Sequence, residues 1–148
     1  MMQYSITKIF NLGKQIVEKA YLSKSLDSLA AANDLYQKGC YDDCASRAYY
    51  ACFQIAIIAL QFYGIIDADV RSHNHKSVIS KFVKCLINEK GIYSTAIRPY
   101  LKELQDLRHT ADYELEESIS RDQAKELIRK ANEFHRLVVE SLQMDVIK

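Results

Sequence analysis

The apolar residues of this chain fall at helical spacing almost throughout. Ile6, Ile9, Phe10, Ile16, Val17 and Ala20 recur at the three- and four-residue intervals that line one helix face. A second run, Leu22, Leu26, Leu29, Ala30, Asn33 and Tyr36, stops at Gly39, a residue suited to the left-handed cap that ends a helix. The two runs read equally well as one bent helix or as two. Asp42 and Asp43 then open a central helix that runs to about Tyr63, with acids in the first turn where the dipole favours negative charge. Gly64 stops it, and residues 65–74 form a polar connection. A third helix is expected over His75–Asn88, with Val78, Ile79, Phe82, Val83 and Leu86 on its inner face and Gly91 as its break. A fourth covers about Ser94–Asp112 and a fifth about Arg121–Leu142. The fifth is the most sharply marked: Ser120 and Gln123 form an S-x-x-Q capping box. Ala124, Leu127, Ile128, Ala131, Phe134, Val138 and Leu142 then draw a continuous stripe. Short connections between long helices make neighbours antiparallel, so the pattern predicts an all-α fold, an up-and-down antiparallel bundle of four to five helices.

Composition narrows the picture. The 148 residues include only four glycines and one proline, Pro99, too few breakers for an all-β fold with its frequent turns. No repeat, linker or composition break divides the chain, so residues 1–148 read as a single helical domain with residues 1–20 as an N-terminal helical extension. Twenty Lys+Arg stand against nineteen Asp+Glu, a net charge of +1. No global field draws nucleic acid or a membrane, and any such binding must come from a local patch. The N-terminus carries Lys8, Lys14 and Lys19 and lacks the compact apolar core of a secretory signal. Cys40, Cys44, Cys52 and Cys85 are therefore expected to be reduced thiols in a cytoplasmic protein. The uncharged stretch from Ala48 to Ile66 approaches the length of a membrane span. Arg47, Gln54 and Gln61, spaced by sevens, give it a polar face, which favours a central buried helix instead. Cys40 and Cys44 with His73 and His75 form a loose Cys2His2 set, but not at any zinc-finger spacing. Cys44 and Cys52 read as small hydrophobes, and no metal is expected.

The fourth helix carries the informative anomaly. At about 100° per residue Ile97, Leu101, Leu104 and Ala111 share one face, and Arg108 projects from the middle of it. Burying an unpaired guanidinium is costly, so Arg108 must find an anion, a partner helix or a wet groove. In one reading Asp112, one turn on, pairs with it. In the other, Arg108 waits in a cleft or dimer face for phosphate, which its planar fork binds well. His109 follows directly, and a histidine beside an arginine suits proton transfer on a phosphodiester; a solvated surface histidine is the competing reading. His75 and Lys76 stand where unpaired N–H groups of a helix start favour anions, with Ser72 as a plain N-cap nearby. The tyrosines interleave with apolar positions and read as packing residues.

Three segments carry a resemblance. Asp43-Cys-Ala-Ser-Arg-Ala-Tyr-Tyr-Ala-Cys-Phe53 resembles the central-helix signature of the HEPN domain family. His73-Asn-His-Lys-Ser-Val-Ile-Ser-Lys-Phe82 resembles the start of that family's next helix, and Leu107-Arg-His-Thr-Ala-Asp-Tyr113 its arginine motif. Order and spacing agree over roughly residues 20–142. The resemblance implies a helical bundle that dimerises through the face bearing the arginine motif. It also implies a toxin that cuts RNA without metal or cofactor, controlled by a minimal nucleotidyltransferase as antitoxin. By analogy the RNA 2′-hydroxyl attacks the adjacent phosphate while arginine stabilises charge and histidine moves protons. Arg108 matches the family arginine, and His109 the polar residue that often follows it. The downstream position where the family has histidine is Tyr113, whose pKa of about 10 makes it a poor base at neutral pH. A branch of the family ends its motif in tyrosine. The catalytic set so implied is Arg108, His109 and Tyr113, with Arg47, His75, Lys76 and Asp112 as RNA or phosphate contacts. The alternative is a non-catalytic module that binds RNA, nucleotide or a nucleotidyltransferase. No DNA and no membrane partner is expected.

Overall fold

The computed structural model describes residues 19–67 and 73–147. The extension expected over residues 1–20 lies outside them apart from its last two residues, and Ser72, the expected cap, also lies outside. Five helices make the fold: α1 (Lys19–Gln37), α2 (Tyr41–Phe62), α3 (His75–Lys81), α4 (Tyr100–Tyr113) and α5 (Arg121–Ile147). No strand occurs among the described residues. The all-α bundle expected from the pattern is the observed fold.

α2 is the centre. Fourteen of its 22 residues are buried, on every side of the helix, as expected of a core helix rather than a surface one. Ala45, Ala48, Ala51, Ala56 and Ala59 lie at zero exposure and let neighbouring helices come close. Among the described residues no helix is long and apolar enough to cross a membrane. The polar face foreseen on α2 is only partly solvated. Arg47 is exposed, but Gln54 is half-buried against the Ser28 hydroxyl of α1 and Gln61 is fully buried. The α1 face opposite Gln54 carries Ser25 and Ser28, so that amide need not turn to water.

Contacts between helices fix their directions. The tight turn at residues 38–40 folds α2 back on α1 as a hairpin, and Ser25 meets Ala51 and Ser28 meets Gln54 across it. Asn33 and Asn132 exchange two amide hydrogen bonds of 3.0 Å, and Ser25 meets His135, so α5 runs antiparallel to α1. Tyr100 reaches Glu133 and Lys130 reaches Glu103, so α5 is antiparallel to α4 as well. The hairpin turn works because Gly39 takes φ +79, where side-chain-bearing residues pay a steric cost. Its N–H bonds Tyr36 O and that of Cys40 bonds Leu35 O, the paired bonds of a Schellman end. Gly64 closes α2 in the same way.

Two expected helices differ in detail. α3 begins on Asn74, whose side chain accepts from Ser77 N, and from Phe82 to Glu89 it continues as a π-helix. The wider i→i+5 winding carries Ile87 into the core beside Phe82 and Leu86 and leaves Val83, expected inside, half-buried. The fourth helix is split: Thr95–Ile97 is a 3₁₀ turn capped by Ser94, and the α-helix starts only after Pro99. Proline has no N–H to give to a continuing ladder, so it restarts the helix there. Ile97, Leu101 and Leu104 are buried as the periodicity requires. The α5 capping box forms as read: Gln123 N donates to Ser120 Oγ at 3.1 Å and Ser120 N to Gln123 Oε1 at 2.9 Å. Replacing Ser120 with alanine is expected to cost about 1 kcal/mol in urea unfolding.

Candidate functional site

The site forms where α2, α3 and the end of α4 meet. Arg108 projects from α4 toward α2, with only 12% of its side chain exposed. Its guanidinium carbon lies 5.2 Å from the ring centre of Tyr49, 5.5 Å from Tyr50 and 5.8 Å from Tyr113, within cation–π range of all three. Its polar contacts are poor. Nη1 stands 3.7 Å from Asp112 Oδ2 and 3.5 Å from the Tyr113 hydroxyl, and Nε is buried without a hydrogen-bond partner among the described residues. Asp112 accepts a short hydrogen bond from Ser46 Oγ of α2, which draws its other oxygen away. The i, i+4 ion pair read from the sequence is therefore present but loose. A guanidinium offers five N–H donors, and among the described residues one long hydrogen bond, to Tyr113, uses them.

His75, the first residue of α3, completes the cluster. Its ring stacks on Phe53 with centroids 4.0 Å apart and planes 6° from parallel. Nδ1 lies 2.7 Å from the Tyr49 hydroxyl, which thus links it to the ring beneath Arg108. Burial, aided by the Arg108 charge, holds the His75 imidazolium below its usual pKa of 6.5. Burial also raises the Tyr49 phenol well above its ordinary value, against the pull of Arg108, so this hydroxyl stays neutral.

The residues singled out from the sequence divide into two groups. Arg108, Tyr113, Asp112 and His75 come together. His109 is exposed and turned from Arg108; its ring lies 5.0 Å from that of Tyr113. Arg47 and Lys76 are exposed and form no ion pair among the described residues. Tyr49, Tyr50, Ser46 and Phe53 belong to the cluster but escaped the sequence reading, which had placed the tyrosines in packing roles. Their i, i+3, i+4 and i+7 spacing along α2 was the available signal.

At the rim, Tyr50 is 36% exposed and Tyr113 61%. The arrangement is a buried, under-bonded cation behind aromatic rings, with a neutral imidazole one hydroxyl away. It can receive an anion and, beside it, exchange a proton.

The three segments that carry these side chains lie within one family match. The profile of the HEPN domain covers residues 18–142. This chain belongs to the HEPN family. A curated protein of Methanocaldococcus jannaschii named "putative toxin" is 29% identical over 121 residues, 82% of this chain and 78% of that protein. The family span takes in all five helices up to Leu142, and so both the α2 tyrosines and the Arg108 segment.

Proposed function

We propose that this HEPN protein is a toxin that cleaves RNA as a metal-independent endoribonuclease, acting as a homodimer and held in check by a nucleotidyltransferase partner. The observation that carries the reading is Arg108: nearly buried, with no hydrogen-bond partner for Nε among the described residues and with long polar contacts to Asp112 and Tyr113. The loose pair with Asp112 compensates that burial only in part, and a phosphodiester would complete it in bidentate geometry. In this reading Arg108 stabilises the charge that develops on phosphorus-bound oxygen. Tyr50 and Tyr113 offer rings on which unpaired bases stack. The exposed Tyr113 beside the arginine, with exposed Leu115 two residues on in the chain, suits burial against a second copy. The toxin name of the archaeal relative supports the same reading.

The test is cleavage of a labelled mixed-sequence RNA in EDTA by wild type and Arg108→Ala, each checked for folding and oligomeric state. A loss of at least about 100-fold in the variant is expected. Equal cleavage by both proteins would remove the arginine from the chemistry. No cleavage by either would favour a second reading, a non-catalytic module binding RNA, nucleotide or the nucleotidyltransferase. That reading has one observation of its own: Tyr113, not an imidazole, stands at the hydroxyl contact to Arg108.

A further inference from the structure

We propose that His75, brought to the arginine site by α3, is the group that moves the proton in this chain's RNA cleavage. The inference rests on the ribonuclease reading and names the base which that reading leaves open.

The geometry separates the two ring nitrogens. Nδ1 is held by the Tyr49 hydroxyl at 2.7 Å, while Nε2 carries no hydrogen bond among the described residues and the ring is only half-buried. When Nδ1–H donates to Tyr49 Oη, the Nε2 lone pair is left for an incoming hydroxyl. The ring is fixed on one face by Phe53 and at its edge by Tyr49, so Nε2 is held in place rather than swinging in solvent. Tyr50 marks the shared opening: its ring lies 6.1 Å from that of His75 and 5.5 Å from the Arg108 guanidinium, and it is partly exposed. The charged and titratable groups facing His75 are Tyr49 and Tyr50 from α2 and Arg108 from α4; no carboxylate bonds to it. The ring is therefore neutral at neutral pH and available as a base. His109 has none of these supports: it is exposed, its ring lies against Tyr113, and it has no hydrogen bond among the described residues.

The step balances without a further reagent. Nε2 takes the proton of the ribose 2′-hydroxyl as O2′ forms a bond to the adjacent phosphorus. The P–O5′ bond breaks, its electron pair leaves on O5′, and water protonates that oxygen. The products are a 2′,3′-cyclic phosphate and a 5′-hydroxyl, and the imidazolium then releases its proton to solvent. Arg108 holds the phosphate oxygens throughout.

The experiment compares wild type, His75→Ala, His75→Asn, His109→Ala and Arg108→Ala on one labelled single-stranded RNA in EDTA, between pH 5 and 8. Asparagine keeps a polar atom near the Nδ1 position for Tyr49 but has no titratable nitrogen, so it separates positioning from proton transfer. Both His75 variants are expected to lose about 100-fold in rate, more than His109→Ala. The wild-type rate should rise with pH through an inflection below 6.5, and His75→Asn should lack that inflection. Full activity in His75→Asn, or a greater loss in His109→Ala, would overturn the assignment while Arg108→Ala still upheld the ribonuclease reading. Absence of cleavage in the wild type would overturn both.

Discussion

Truncating Tyr49 to alanine is expected to destabilise the protein by about 3–5 kcal/mol, the range for deleting a buried aromatic ring. For a chain of this size that amounts to a fall in Tm of roughly 10 °C or more. Tyr49 has no exposed surface, stacks on Phe53 with centroids 5.8 Å apart, and fills the space between α2, α3 and α4 beneath Arg108. The hydroxyl is a separate contribution. Tyr49→Phe keeps the ring and removes the hydroxyl with its bonds to His75 and Gln105, a change of about 1 kcal/mol for each bond. Urea unfolding of both variants measures the two parts. A loss in Tyr49→Ala no greater than in Tyr49→Phe would mean that the ring contributes nothing to the core. The large difference expected between them would show that the site's floor is also a structural member. It follows that activity lost in Tyr49→Ala says nothing of chemistry until folding has been checked, whereas Tyr49→Phe keeps the core and tests the hydroxyl alone.

The helices themselves were legible because their signals are local. Ser120 and Gln123 bond each other across three residues, Gly39 and Gly64 take the positive φ that ends a helix, and the α5 stripe from Ala124 to Leu142 is buried throughout. Arg108 was legible too, since a charge in an apolar stripe stands out at any register. The split at Pro99 and the π-helix after Lys81 were not. The first depends on a single missing N–H within a run whose apolar spacing continues through it. The second changes the winding without changing which residue types are apolar, so only the exchange of Val83 for Ile87 reveals it.

The site was harder to read than the fold because it joins residues distant in sequence. Tyr49 and His75 are 26 positions apart, and Ser46 and Asp112 are 66 apart. A tyrosine in an apolar helix has the same local pattern whether its hydroxyl meets water, a carbonyl or a histidine. His109, adjacent to Arg108 in the chain, is turned away by the 100° step of the helix. His75, far off in sequence, is brought in by the helix start at Asn74. Asp42 makes the same point: read as a dipole partner, it also accepts from Ile119 N at 2.8 Å and so ties the strap after Tyr113 to the base of α2.

Lowering the pH from 7 to 4 is expected to remove about 3 kcal/mol of stability through one residue, His135. Its ring is buried on α5, and burial pushes its pKa from 6.5 down to about 4. Nε2 lies 2.6 Å from Ser25 Oγ, whose hydroxyl donates to Ala51 O at 3.1 Å, so the imidazole gives its Nε2 hydrogen to the serine. Neutral imidazole satisfies that chain of bonds; a proton on the second nitrogen would place a charge between α1, α2 and α5 with no anion bonded to it. The sign follows from proton counts. Between pH 6.5 and 4 the unfolded chain holds the proton and the folded chain does not, so stability is full above 6.5 and falls as the pH drops toward 4. Urea unfolding at pH 7, 5.5 and 4.5 should show this slope, and His135→Gln, which keeps a donor but does not titrate, should flatten it. An equal slope in His135→Gln would assign the acid sensitivity to the carboxylates instead. The two histidines then act in different places. Protonation of His135 loosens the seam that α1 makes with α2 and α5, while protonation of His75 acts at the α2–α3–α4 seam and removes the free Nε2. Cleavage lost on mild acidification of a still-folded protein would therefore report His75, and a loss of the fold that His135→Gln prevents would report His135.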